Sequence, residues 1–239
     1  MKKLLTFFAL FISLSAPALA QVEENYSPAE PRTVMPWIEW MNEANIAADM
    51  DFITGMRPHH EGALTMSDEY LKAKGASSER LKALSRGIII NQTFEIGVMK
   101  RLEELLKAAN VKGDDTVAVK VAEKGQAQKQ KFSYAVPPKI KRGPGHDDAV
   151  SKRDVQFAKA MIIHHQGALD MCRDYHANPA AKNGYLELLC LDIIRDQSQE
   201  IELMHDVIAH YDGDASTIKP SAVHGMEHMK HGTHHHGGH

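Results

Sequence analysis

One internal repeat constrains this chain more than any other feature of its sequence. A Phe-x3-Met-x2-His-His-x-Gly-Ala-Leu-x-Met-x3-Tyr pattern runs from Phe52 to Tyr70 and recurs 105 residues later, from Phe157 to Tyr175. The segment after it has the same offset, because an Ile-x2-Gln-x2-Glu-Ile-x2-Met pattern that begins at Ile89 returns at Ile194. Two helical patterns repeated together at one offset predict two copies of a helical hairpin.

The repeat predicts an all-α fold, a ferritin-like four-helix bundle, because neither hairpin can bury its apolar stripe alone. Helical periodicity and glycine stop signals place the bundle at 42–211, with hairpin 1 at 42–110 and hairpin 2 at 151–211. The connection 111–150 is rich in lysine, proline and glycine, so we expect a linker, with a short helix at about 115–133 as the alternative. Residues 21–41 are expected to form an irregular lead-in.

The N-terminus has the three parts of a secretory signal peptide at 1–20. Lys2 and Lys3 precede an apolar run too short to span a bilayer, and Ala18-Leu19-Ala20 offers a small-residue cleavage site. Cleavage predicts a periplasmic or secreted protein with no membrane span after signal removal, and an uncleaved anchor is the alternative. The net charge of −3 becomes more negative without the two lysines, which argues against a nucleic-acid partner.

The inward stripes of the repeated helices combine thioether, imidazole and carboxylate groups. Side chains spaced three and four residues apart share one helix face, and the inward faces of a bundle converge in its core. Thioether and imidazole together favour copper, as Cu(I), over iron or zinc. The predicted ligands in the bundle are Met56, His59, His60, Met66, Glu95, Met99, Met161, His164, His165, Met171, Glu200 and Met204.

Two questions about these ligands remain open at the level of sequence. Only one histidine of each adjacent pair can lie at the centre of its stripe, so the other one can be structural. Glu95 and Glu200 either ligate the metal or orient a histidine ring from behind. Gln92 and Gln197, one turn earlier on the same face, are expected to be hydrogen-bond partners rather than ligands.

Other positions of the repeat are interpreted as structural and not as ligands. Asp49 and Asp154 are interpreted as first-turn charges that the helix dipole favours. Gly62 and Gly167 lie inside helices, where glycine costs about 1 kcal/mol relative to alanine, and therefore predict a close approach between helices. Pro58 has no proline counterpart in the second copy, so the two copies are not equivalent.

The C-terminal segment 212–239 is predicted to be a disordered, metal-binding tail rich in histidine and methionine. Such a tract captures Cu(II) or other divalent ions with little specificity. An expression tag is the alternative, although the tract is interrupted and contains methionine. Seven of the fifteen histidines lie here, namely His224, His228, His231, His234, His235, His236 and His239.

The chain has two cysteines, Cys172 and Cys190, which flank the turn of hairpin 2. They lie at similar heights in an antiparallel hairpin, so a disulfide is a candidate in an oxidising compartment. Direct copper ligation by Cys172 is the alternative.

With these motifs the chain resembles the CopM-like family of periplasmic copper-binding proteins, over about 45–110 and 151–211. The resemblance implies a ferritin-like four-helix domain that binds copper and contributes to copper tolerance. It points to the methionines and histidine pairs of the two repeated helices as ligands, together with Met99 and Met204 from the partner helices.

We expect a non-catalytic protein that sequesters copper or hands it on to a copper-exporting or copper-accepting protein. One alternative is a ferritin-like di-metal oxidase, which needs Glu-x-x-His on two helices. Glu202-x-x-His205 supplies that motif once, and its repeat-related positions hold Gly97 and Lys100. The other alternative is a structural or partner-binding bundle in which methionine and histidine are core residues without metal.

Overall fold

Four long helices arranged in two antiparallel hairpins make up most of the computed structural model, which describes residues 36–123 and 149–226. Hairpin 1 consists of α1 (Glu43–Lys72) and α2 (Glu79–Ala109). Hairpin 2 consists of α3 (Lys152–Ala177) and α4 (Gly184–Ala209), and the two hairpins meet chiefly through α1 and α3. The predicted bundle of two repeated hairpins is confirmed. Among the described helices, none combines the length and apolar character that a bilayer crossing requires.

Several predicted segments lie outside the described residues. They are the signal peptide at 1–20, the lead-in at 21–35, the linker at 124–148 and the tail at 227–239.

The helix ends follow from local sequence. Asn42 and Asn45 form a capping box at the start of α1, and Ser151 and Asp154 form the equivalent box at the start of α3. In each box, side chains accept hydrogen bonds from backbone N–H groups that have no partner within the helix. At the other end of hairpin 1, Asn110 adopts a left-handed conformation with φ of 47° and terminates α2.

Two short strands, β1 (Pro36–Met41) and β2 (Val117–Glu123), pair antiparallel beside the helices. The predictions of an irregular lead-in through residue 41, and of a linker or a helix at 115–133, are therefore wrong at these residues. A two-stranded ribbon is marginal by itself, and β2 becomes stable by packing on α2, which buries Val119 and Val121. Neither the distant pairing partner nor this packing surface is visible in the local pattern of either strand.

Two tyrosine–aspartate hydrogen bonds join the hairpins in the same way at both ends of the bundle. The Tyr175 hydroxyl donates to Asp49 Oδ1 at 2.8 Å, and the Tyr70 hydroxyl donates to Asp154 Oδ1 at 2.6 Å. Asp154 does lie in the first turn of α3, but Asp49 lies beyond the first turn of α1, and both are fully buried. Bonding between hairpins, rather than the helix dipole, explains why the aspartate is repeated.

Residues 212–226 pack against the bundle, so the prediction of a disordered tail beginning at 212 is wrong for this part. We call this segment the C-terminal strap. Lys159 Nζ donates to the carbonyl oxygens of Ala215 and Ile218 at 2.6 and 2.8 Å, and Ser221 N–H donates to the Gln156 carbonyl at 3.0 Å. The anchoring groups lie on α3, which is why the composition of the strap alone does not reveal its fold.

Gly62 makes a close contact, but with the C-terminal strap and not with a helix as predicted. A Cβ atom on Gly62 would lie 2.4 Å from the His224 carbonyl oxygen. Gly225, with φ of 77°, makes the contact from the other side, because its Cβ would lie 2.7 Å from the Pro58 carbonyl oxygen and 2.9 Å from that of His59. Two glycines without side chains therefore let the strap rest directly on the backbone of α1.

Candidate metal site in the bundle core

Four histidines form one buried layer between α1 and α3, and each has an exposed fraction of 0 %. The rings of His59 and His164, the inner pair, are in contact, with centroids 3.8 Å apart and planes tilted by 37°. His60 and His165 form the outer pair, and each ring centroid lies about 6 Å from that of its chain neighbour. The repeat thus places two equivalent histidines on the contact between hairpins and two behind it.

Each outer histidine is held by a glutamate from the second helix of its own hairpin. His60 Nε2 lies 2.7 Å from Glu95 Oε2, and His165 Nε2 lies 2.6 Å from Glu200 Oε2. Burial raises the pKa of Glu95, and the hydrogen bond with His60 opposes that rise. With the shared proton on Nε2, the Nδ1 atom keeps a lone pair. This geometry corresponds to the ring-orienting role of the two glutamates.

The inner histidines are neutral. Burial, reinforced by the neighbouring histidines, lowers the pKa of His59 to about 3 and that of His164 well below its ordinary value. His164 Nε2–H donates to the His59 carbonyl oxygen at 2.9 Å, which leaves a lone pair on His164 Nδ1. A neutral imidazole with an available lone pair is the form that ligates metal ions.

Five ring nitrogens in this layer are buried and have no hydrogen-bond partner. An unsatisfied buried polar atom costs roughly 1–3 kcal/mol, so five in one place make this layer a candidate site for a further group. Four of the five can offer a lone pair to a metal ion, because a neutral His59 carries its proton on one of its two ring nitrogens. The five atoms are Nδ1 and Nε2 of His59 and the Nδ1 atoms of His60, His164 and His165.

The six methionines predicted as ligands divide between the two apolar clusters of the core, three in each. The repeat offset relates these groups of three, and each takes two methionines from one hairpin and the third from the other. The methionine stripe predicted from sequence on each repeated helix is therefore divided between two clusters. The first group is Met56, Met99 and Met171, and the second is Met161, Met204 and Met66.

The histidines and glutamates do not by themselves form a metal cage. Within 36–123 and 149–226, no three His, Cys, Asp or Glu side chains converge in a geometry that would hold a metal ion. Any ion in the layer would therefore need the thioether groups as well, or a movement of the rings. This requirement favours a soft ion, because thioethers bind hard cations poorly.

Two glutamines in the core were not among the predicted ligands. Gln92 and Gln197 were expected to be hydrogen-bond partners, yet the Oε1 atom of each is buried without a partner. They occupy repeat-related positions one turn before the two glutamates. Their repetition on an inward stripe is the sequence signal that could have marked them as candidate ligands.

The predicted tail ligands are separate from this layer where they can be located. His224 lies on the C-terminal strap, and its Nε2 is 3.5 Å from Glu69 Oε2 on the outer side of α1. The remaining predicted ligands of the tail lie outside the described residues, namely His228, His231, His234, His235, His236 and His239.

The oxidase motif does not reach the core. Glu202 and His205 are both exposed on α4. The carboxylates of Glu95 and Glu200, which do reach the histidine layer, are each bound to a histidine of their own hairpin.

Comparisons with known proteins agree with the repeat. A family model described as "Domain of unknown function (DUF305)" matches residues 49–208 and, separately, residues 154–238, so its second match begins 105 residues after the first. Two solved structures of CopM each cover 69 % of this chain and 98 % of their own. One, in the Cu(I)-bound form, is 28 % identical with a TM-score of 0.44, and the other, in the Ag-bound form, is 26 % identical with a TM-score of 0.42. No curated protein matches the chain.

Proposed function

The chain belongs to the DUF305 family, and from this premise we propose that it binds copper as Cu(I) in the core of its bundle. The observation that carries the proposal is the set of five unpartnered imidazole nitrogens in a core whose two apolar clusters contain six thioethers from the repeated positions. Neutral imidazole and thioether are ligands that suit Cu(I), and neither has to lose a proton before it binds.

The surrounding residues have separate tasks in this proposal. Glu95 and Glu200 keep the proton on the Nε2 atoms of the outer histidines and so direct the Nδ1 lone pairs. The apolar clusters on either side keep water from the layer. The inner histidines are in contact across the two hairpins, so both hairpins contribute ligands to one metal centre.

We further propose that the protein is exported to the periplasm or secreted, and that it sequesters copper or hands it on without catalysing a reaction. The signal pattern at 1–20 supports export, and the histidine-rich tail supports capture of Cu(II) or other divalent ions before they reach the bundle. A contribution to copper tolerance follows if a copper-exporting or copper-accepting protein receives the metal.

The test is Cu(I) titration against a competing chelator, using a variant that ends at Met226 and therefore lacks most of the tail but keeps the strap. We expect this variant to bind Cu(I). The variants His59→Ala/His60→Ala and His164→Ala/His165→Ala should each lose affinity. Glu200→Gln should weaken binding roughly 10- to 100-fold, because an amide oxygen holds the His165 ring more weakly than a carboxylate does.

The matched control is His176→Ala/His205→Ala, which removes two exposed histidines from the same helices α3 and α4. Its affinity should equal that of the parent. Loss of all Cu(I) binding on removal of residues 227–239 would place the metal in the tail and overturn the proposal of a core site.

A further inference from the structure

Cys172 and Cys190 lie side by side in the core of hairpin 2. Both have an exposed fraction of 0 %, and both thiols are free in the structure. They belong to the same buried apolar cluster, and each lies within two turns of the connection between α3 and α4, Cys172 before it and Cys190 after it. The copper proposal uses neither of them.

We propose that Cys172 and Cys190 become a disulfide that cross-links α3 to α4 as the protein folds. Two S–H bonds break and one S–S bond forms, so the pair gives up two protons and two electrons. A small disulfide or a disulfide-donating oxidoreductase accepts them and becomes a pair of thiols. The presence of such an oxidant rests on the proposed export, because oxidising compartments supply it.

The surroundings of the pair favour a disulfide over a metal site. Among the described residues no third His, Cys, Asp or Glu joins the pair in a metal-holding arrangement. Both thiols are fully buried, so an oxidant reaches them before the core closes, and the closed core then shields the bond from reductants.

The repeat allows the cysteine pair of hairpin 2 to be compared with the equivalent residues of hairpin 1. The residues related to the cysteines in hairpin 1 are Ser67 and Ser85, and both are fully buried. Ser85 Oγ donates to the Leu81 carbonyl oxygen, whereas Ser67 Oγ has no partner. Hairpin 1 is therefore not cross-linked here, and serine is a residue that this core position accommodates. It follows that the cross-link would stiffen only hairpin 2.

The experiment is a thiol count on the full chain, refolded without metal from the reduced, denatured state in the presence of oxidised glutathione. After denaturation in an alkylating reagent, we expect no labelled thiol, no glutathione adduct, and a mass lower by two hydrogens. Two labelled thiols, or a lasting glutathione adduct, would overturn the proposal. The assay needs neither export nor copper, so its failure is separate from failure of the proposed function.

A second measurement compares melting temperatures after oxidising and reducing refolding. Because the bond would close a short loop between adjacent helices, the oxidised protein should melt roughly 5–10 °C higher. The variant Cys172→Ser/Cys190→Ser copies the pair of hairpin 1 and should melt at one temperature under both conditions. An equal shift in that variant would show that the cysteines are not its cause. A Cu(I) complex of the wild-type pair, detected as thiols labelled only after a strong Cu(I) chelator is added, would also contradict the disulfide.

Discussion

At the scale of a single residue, two buried aspartates at repeat-related positions have pKa values shifted in opposite directions. Asp49 and Asp154 each accept a hydrogen bond from a tyrosine of the other hairpin. Burial raises the pKa of Asp49 to about 6, although Asn183 and Tyr175 donate to it. Burial also acts on Asp154, but donors that include Ser77 outweigh it, and its pKa lies below the ordinary value. The balance between burial and the hydrogen-bond donors around each carboxylate decides whether its pKa rises or falls.

The substitution Asp49→Asn should change how stability depends on pH. The folded pKa is higher than the unfolded pKa, so this group stabilises the fold below about pH 4, and its contribution is lost as pH rises to about 6. The difference corresponds to about 3 kcal/mol at most. Urea unfolding at several pH values between 4 and 7 should show that the variant lacks this decline, because an amide does not ionise.

The matched substitution, Asp154→Asn, should act in the opposite direction. Its folded pKa is lowered, so its contribution is present at neutral pH and is lost as the solution becomes acidic. The variant should be destabilised at pH 7 and approach the parent at low pH. Parallel pH profiles for the two variants would contradict this account of the two carboxylates.

Methionines in the core also have two separable roles, packing and metal ligation. Met99→Leu/Met204→Leu keeps the side-chain volume but removes one sulfur from each methionine group. The free energy of unfolding should change by less than about 1.5 kcal/mol. The Cu(I) affinity should fall by roughly tenfold or more, which is at least about 1.4 kcal/mol of binding free energy. If chelator competition shows unchanged affinity, these two methionines are packing residues only.

At the scale of elements, the C-terminal strap distinguishes the two copies of the repeated helix. It rests on α1 at Gly62 and is anchored on α3 through Lys159 and Gln156. A segment outside the repeat therefore covers one histidine-bearing helix at the level of its histidine pair. The strap therefore adds to the difference that Pro58, which has no proline counterpart in the second copy, already makes between the two helices.

The substitution Gly62→Ala should displace the strap, because the new Cβ would lie 2.4 Å from the His224 carbonyl oxygen and neither backbone can give way cheaply. We expect a destabilisation of roughly 1–3 kcal/mol in chemical unfolding, and faster proteolysis at 212–226. Gly97→Ala is the control. Its Cβ would meet nothing within 4 Å on α2, and the change should stabilise the protein by roughly 0.5–1 kcal/mol. Equal effects of both substitutions would argue against strap contact at Gly62.

At the scale of the whole molecule, the candidate site belongs to neither hairpin alone. The inner histidines pack against each other across the hairpin contact, and each methionine group contains residues of both hairpins. The tyrosine–aspartate bonds close the same contact at both ends of the bundle. Metal binding and the association of the hairpins should therefore be coupled.

Two truncations test which part of the C-terminal segment belongs to the folded molecule. Removal of residues 227–239 should leave the melting temperature unchanged, because the strap and its anchors remain. Ending the chain at Tyr211 also removes Ile218, which is buried, and the hydrogen bonds of Lys159 to the strap. That variant should melt at a lower temperature in calorimetry. Equal melting temperatures for the two truncations would mean that the strap adds no stability.

Much of this protein can be predicted from local pattern. Helical periodicity, helix caps and glycine stops depend on neighbours within one or two turns, so the sequence predicts the four helices. The offset of 105 residues then predicts that they pair as two hairpins. The same short-range periodicity places the histidines, glutamates and methionines on inward faces. Every predicted ligand on the first helix of each hairpin except Met171, which is partly exposed, is indeed buried.

Only the tertiary structure decides how these inward residues group. Helix rise alone separates Met56 from Met66 by about 15 Å. Which methionine of α3 joins each of them depends on how α1 and α3 cross, and periodicity along one helix contains no information about that crossing. The pairing of β1 with β2 and the docking of the strap depend likewise on surfaces far away in sequence. The sequence by itself determined a repeated hairpin with soft ligands on its inner face. Packing between the hairpins determined which of those ligands meet.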